Sequence, residues 1–98
     1  MRTMLKITMP TPKGNSAITD GTLAATLKAT MERLQPEAAY FFAEDGLRAG
    51  FLVFDLSDVS DIPSIVEPLF MGMDANVALV PVMNADELEA GLAKAFPG

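Results

Sequence analysis

Residues 38–56 read AAYFFAEDGLRAGFLVFDL and decide the fold, because they contain two strand-like runs joined at Asp45-Gly46. An Asp-Gly pair between two apolar runs is a strong signal for a β-hairpin with a tight type I′ turn. With that turn, Phe41 lies opposite Gly50, so a large ring meets a residue without a side chain. Both faces of this hairpin are apolar, whereas a free-standing hairpin usually keeps one face in water. We therefore expect the hairpin to be covered on both sides.

Length, composition and charge limit what the chain can do. Its 98 residues, 50% of them hydrophobic, predict one domain spanning 1–98. Thirteen acidic and seven basic residues give a net charge of −6, and the basic ones are scattered, so neither nucleic acid nor an anionic membrane surface is an expected partner. Without cysteine or histidine there are no disulfides, thiolate metal sites, haem-ligating histidines or imidazole bases, and we expect no metal and no cofactor. No secretory signal or membrane-length apolar run is visible, which favours a cytoplasmic location.

Two further strands flank the hairpin. Thr3 to Met9 alternates with a period of two and predicts the first strand, which Pro10 ends. Residues 75–83 predict a fourth strand that is apolar on both faces. Pro81 cannot donate to a strand ladder, so this strand belongs at a sheet edge.

Helical periodicity predicts three helices between and after the strands. The main first helix is expected to begin with Thr22 as its cap and to end at Gln35-Pro36. A second helix follows the acidic caps of 57–61, and a third begins at Asn84 in a capping-box pattern and ends at Pro97.

Two segments carry weaker helical signals. Residues 11–15 (TPKGN) are interpreted as a loop that precedes a short helical turn capped by Asn15 or Ser16. Pro68 lies inside the second helix and is expected to kink it or to break it before residues 71–73.

The order βαββαβα with two helical crossovers predicts an α+β, ferredoxin-like βαββαβ fold with an extra C-terminal helix. Its four-stranded antiparallel sheet has the strand order 4-1-3-2, which places the strand of Pro81 at an edge. The first two helices cover one sheet face. The other face is rich in Phe and Val and needs a partner, so we expect a homodimer.

Four segments carry a resemblance to a known superfamily. They are ITMP (7–10), EAAYFFAEDGLR (37–48), FDLSDVSDIPSIVEPLFMG (54–72) and PVMNADEL (81–88). The chain resembles the dimeric α+β barrel superfamily and is similar to small uncharacterised bacterial proteins of that group. The resemblance implies two ferredoxin-like sheets packed face to face. It implies no reaction, because the superfamily mixes enzymes with proteins of no known activity.

Strand alternation predicts which side chains face the cavity between two such sheets. In the hairpin, one set of side chains points to the cavity and Phe41, Leu52 and Phe54 point the other way; the cavity set is Tyr40, Phe42, Phe51, Val53 and Asp55. Lys6 and Thr8 point away from the face of Leu5 and Ile7. The candidate ligand-binding residues are therefore Lys6, Thr8, Tyr40 and Asp55, a few polar groups in an apolar pocket. In a purely structural alternative, Lys6 pairs with Asp55 at the barrel rim and the Tyr40 hydroxyl points to solvent.

The sequence is compatible with two functions. The first is a dimer without assigned chemistry that binds a small apolar ligand or a protein partner. The alternative is a cofactor-independent isomerase or monooxygenase acting on a small aromatic or lactone substrate in the barrel cavity. No catalytic residue is assigned, and acid–base work near neutral pH would need burial to raise the pKa of Asp55 or lower that of Lys6.

Overall fold

A computed structural model describes residues 1–98 as four strands and four helices. The strands are β1 (Arg2–Met9), β2 (Ala38–Glu44), β3 (Leu47–Asp55) and β4 (Asn76–Pro81). The helices are α1 (Thr11–Thr19), α2 (Thr22–Leu34), α3 (Ile62–Met73) and α4 (Ala85–Ala95), with a short 3-10 turn, Val59–Asp61, before α3. None of the helices has both the length and the apolar character needed to cross a bilayer.

The strands form one antiparallel sheet in the order β2-β3-β1-β4. This confirms the predicted order, including the edge position of β4, which ends at Pro81. Proline is tolerated there because no further strand needs its missing N–H. The architecture is α+β and consistent with a ferredoxin-like fold.

The hairpin register is also as predicted. Asp45 and Gly46 both have positive φ, at 53° and 77°, as a type I′ turn requires. Phe41 is paired with Gly50. A β-carbon built on Gly50 would lie 2.7 Å from Cδ1 of Phe41, so the ring occupies the space that any side chain at position 50 would need.

The core lies between the sheet and the three helices α1, α2 and α3. Alternate residues of β1 are buried on that side, and the largest fully buried side chains come from β1, β3 and α3: Leu5, Leu52, Leu69 and Met73. Leu52 and Phe54 point into this core, as predicted, and α2 contributes only partly buried residues. Only 15 of the 98 residues are buried, so much of the apolar surface is not used within one chain.

The expectation that residues 11–15 form a loop is wrong, because they are the first turns of α1. Pro10 precedes this helix and Pro12 lies in its first turn, where a missing N–H leaves no bond unmade. At the next helix start, the main-chain N–H of Thr22 donates to Asp20 Oδ1 at 2.8 Å. Gly21, with φ of 83°, is the N-cap of α2 and Thr22 is its first residue, so the expectation that Thr22 caps this helix is wrong; Asp20, one residue before the cap, accepts the free N–H of Thr22.

Pro68 is expected to kink α3 or to break it before residues 71–73, and the break is wrong, since α3 continues to Met73. Proline at position 68 has no N–H to donate to the carbonyl oxygen of Ser64, one turn earlier. Arg33 of α2 supplies the replacement: its Nη1 donates to that carbonyl at 2.9 Å, and its Nη2 donates to Ser64 Oγ at 2.6 Å. A contact between helices therefore satisfies the group that the proline leaves without a partner.

Helix α4 begins as predicted and ends at Ala95, just before Phe96 and Pro97. Both bonds of the capping box are present, between Asn84 Oδ1 and the Glu87 N–H and between Glu87 Oε1 and the Asn84 N–H. No other element packs extensively against this helix, which therefore extends away from the rest of the chain. The whole chain, including α4, measures 57 × 29 × 18 Å. The radius of gyration is 15.7 Å, compared with about 13 Å for a compact domain of this length.

Candidate functional site

The sheet surface opposite the three core helices, called the open face below, has no cover. Strand pairing and alternation place sixteen residues on it: Arg2, Met4, Lys6, Thr8, Ala38, Tyr40, Phe42, Glu44, Leu47, Ala49, Phe51, Val53, Asp55, Asn76, Ala78 and Val80. This confirms the predicted division of the hairpin into two faces, because Leu52 and Phe54 are buried on the helix side. The middle of the open face is apolar apart from Lys6 and the Tyr40 hydroxyl, which lie on either side of Phe51, and the other polar groups lie near the ends of the strands.

An aromatic cluster occupies the part of the open face that the hairpin forms. The ring centroids of Tyr40 and Phe51 are 5.5 Å apart, and those of Phe42 and Phe51 are 6.0 Å apart. These are favourable distances for tilted and edge-to-face aromatic contacts. Tyr40 is nevertheless 62% exposed, so its ring and hydroxyl are available to another molecule.

Lys6 and Thr8 line a shallow pocket of about 310 Å³ between β1, β4 and the hairpin turn. Lys6 Nζ lies 2.7 Å from Glu44 Oε2, so the lysine charge is paired at the turn end of the sheet. The structural alternative that pairs Lys6 with Asp55 is therefore wrong. Both partners of the observed pair are partly exposed, and it contributes little to stability.

Asp55 lies at the opposite end of the open face. Lys6 is paired with Phe51 and Arg2 with Asp55, which separates the two candidate side chains by four residues, or about 13 Å, along the strands. Asp55 Oδ1 accepts a hydrogen bond from the N-terminal amine of Met1 at 2.5 Å. Tyr40 lies two strands from Lys6, a backbone separation of about 10 Å. Within one chain, the fold brings Lys6 and Thr8 together and leaves Tyr40 and Asp55 apart from them.

An ionic cluster beside Asp55 was not predicted from the sequence. Arg2 Nε lies 2.9 Å from Glu37 Oε1, and Arg2 Nη1 also donates to Glu87 Oε1. Hydrogen bonds to Glu37 and Glu87 raise the pKa of Arg2. The Asn84 N–H, and secondarily Arg2, lower the pKa of Glu87. The cluster ties the start of α4 to the sheet, and the only sequence signal for it was the capping role of Glu87.

Neither models of protein families nor curated proteins match this chain. Its class is therefore given by its architecture, an α+β chain with one antiparallel sheet and one uncovered sheet face. Function has to be inferred from that face and from the cavities beside it.

Proposed function

We propose that this chain forms a homodimer of the dimeric α+β barrel type, in which two open faces pack together and hold a small apolar ligand between them. The observation that carries the proposal is the uncovered apolar character of the open face. Tyr40, Phe42 and Val80 are 62%, 37% and 39% exposed on it. Contiguous apolar surface of this kind marks an interaction site.

The exposed area of the chain supports a second copy as the cover. The accessible surface is 6290 Å², compared with about 5400 Å² expected for a compact monomer of 10.4 kDa. The excess of about 900 Å² is close to the roughly 800 Å² that each partner buries in a standard interface. A second copy of the open face would remove such an area on both chains.

Helix α4 supports the same proposal independently. Leu88 and Leu92 lie one turn apart on the helix and Phe96 follows its last residue; the three side chains are 47%, 50% and 76% exposed. No element of its own chain packs extensively against this helix. An amphipathic helix gains its stability mainly by burying its apolar face, so a second chain is expected to receive it.

The ligand follows from the composition of the open face. Aromatic and aliphatic side chains occupy its middle together with Lys6 and Tyr40, and its other polar residues lie near the strand ends: Arg2, Thr8, Glu44, Asp55 and Asn76. Such a lining suits a small, mainly apolar molecule whose orientation is fixed by one or two polar contacts. Tyr40 is expected to line the site, with Lys6 or Asp55 at its polar end.

The neutral fluorescent probe N-phenyl-1-naphthylamine tests the ligand part of the proposal. We expect saturable fluorescence enhancement with the native protein. Phe51→Glu places a charge at the centre of the open face, so its affinity for the probe should be at least tenfold lower, a loss of about 1.4 kcal/mol or more in binding free energy. Met71→Glu is the matched control, because Met71 is 79% exposed on α3, on the other side of the sheet. Probe binding that is equal in Phe51→Glu and the native protein would contradict the proposal; circular dichroism checks that each variant is folded.

A further inference from the structure

A second concavity lies on the helix side of the sheet, between α2 and the hairpin. It is a cleft of about 280 Å³, lined by Leu23 and Leu27 of α2 and by Phe41 and Gly50 of the hairpin, among other apolar residues. The cleft exists because α2 does not reach across edge strand β2, which leaves Phe41 57% exposed. The predicted cover of this sheet face is therefore incomplete at β2.

Arg48 is the only residue of the cleft lining that has a polar side chain. Its Nη2 donates to Asn15 Oδ1 at 2.9 Å, whereas its Nη1 is buried and has no protein acceptor. No carboxylate lies within ion-pair distance of it, although the chain has thirteen acidic residues. Buried donors without a partner are rare in proteins, and a charged one is especially unfavourable.

The neighbouring helix leaves room for this guanidinium. Gly14 of α1 is buried, and a β-carbon at that position would lie 2.8 Å from Arg48 Nη1. A side chain at position 14 would therefore displace the arginine. Asn15 and Gly14 together hold the arginine beside the cleft, with one nitrogen lacking an acceptor.

We propose that this cleft binds a small apolar monocarboxylate. The apolar part of the ligand lies against Leu23, Leu27 and Phe41. The Arg48 guanidinium has no anionic partner within the chain, and it moves from Gly14 toward the cleft so that its enclosed Nη1 can donate to the ligand carboxylate. Arginine is well suited to this role because its planar fork matches the geometry of a carboxylate. The volume is at the low end for ligand sites, which limits the ligand to a single ring or a short chain. The site is formed by one chain and does not depend on the proposed dimer.

A pair of probes that differ in charge tests this site: 3-phenylpropionate and its neutral isostere 3-phenylpropanamide. Titration of ¹⁵N-labelled protein should shift the amide signals of residues 23–27 and 47–50, with the carboxylate binding at least about tenfold more tightly than the amide. Arg48→Met should reduce the affinity for the carboxylate to that for the amide. Lys28→Met, which removes the same charge from an exposed position on α2, should change neither affinity.

A second variant keeps the test decisive if Arg48→Met does not fold. Leu27→Phe retains Arg48 but fills the cleft, so it should weaken both probes. Equal affinity of the native protein for the two probes, or the absence of saturable binding, would overturn the proposal. Shifts confined to the amides of the open face would also overturn it, while supporting the separate ligand site between the sheets.

Discussion

Replacement of Gly50 by alanine tests the steric contact between the Phe41 ring and Gly50 across the hairpin. The added β-carbon would lie 2.7 Å from Phe41 Cδ1, 3.1 Å from Phe41 Cε1 and 3.3 Å from the carbonyl oxygen of Tyr40. The carbonyl belongs to the strand backbone and moves little, so the Phe41 ring has to yield. Because this ring is 57% exposed, it can swing toward solvent, but it then loses its contact over Gly50.

Two opposing effects set the size of the change. Overpacking of this kind costs about 1–3 kcal/mol, and the reduced freedom of the unfolded chain returns about 0.4–1 kcal/mol. Gly50 does not have the positive φ that would add backbone strain. We expect a net loss of about 0.5–2 kcal/mol in the free energy of unfolding, and a larger loss for Gly50→Val.

Urea denaturation followed by circular dichroism measures this loss. In a Phe41→Ala background the same Gly50→Ala change should cost much less, because the obstructing ring is gone. Gly91→Ala in α4 is the matched control: the new β-carbon has no atom within 4 Å apart from its chain neighbours and the backbone of its own helix, and alanine favours helix, so the helix should gain stability. An equal cost of Gly50→Ala with and without the Phe41 ring would refute the steric explanation.

Two further predictions concern the helices. Arg33→Met should lower the free energy of unfolding by about 0.5–1.5 kcal/mol, because Ser64 loses the two hydrogen bonds that Arg33 donates to it. Much of this loss should disappear in a Pro68→Ala background, where a main-chain N–H replaces the arginine. Equal losses in both backgrounds would contradict the role of Arg33. The pKa of Glu87 is lowered in the folded chain. The ionised Glu87 carboxylate therefore contributes fully to stability above its unfolded pKa near 4.5, and this contribution is lost as the pH falls through its lower folded pKa. The ¹³Cα chemical shifts of α4 should therefore lose their helical character in acid. Glu87→Gln should remove most of this pH dependence. An unchanged pH dependence in that variant would assign the effect to other titratable groups.

The parts of the fold that local chemistry determines were predictable from the sequence. The Asp45-Gly46 turn fixes its own backbone conformation, and this conformation fixes the register of the hairpin. Pro81 excludes β4 from the centre of the sheet whatever the rest of the chain does. Asn84 and Glu87 form their capping box within four residues.

The sequence-based predictions were wrong where residues distant in the sequence, or the position of a residue within a helix, determine the local structure. Pro68 is expected to kink or break its helix, but the helix is not broken, and Arg33 from another helix satisfies the carbonyl that the proline leaves free. Pro10 and Pro12 suggest a loop, yet proline is accepted at a helix start. The surroundings of Arg48 depend on α1, α2 and the hairpin together, so sequence periodicity alone does not indicate the cleft.

The molar mass in solution tests the central claim most directly. Light scattering coupled to size-exclusion chromatography at micromolar concentration should give twice the chain mass of 10.4 kDa for the native protein. Phe51→Glu, which disrupts only the open face, should give the mass of one chain, and Met71→Glu should remain a dimer. A native protein of 10.4 kDa at that concentration would contradict the face-to-face dimer.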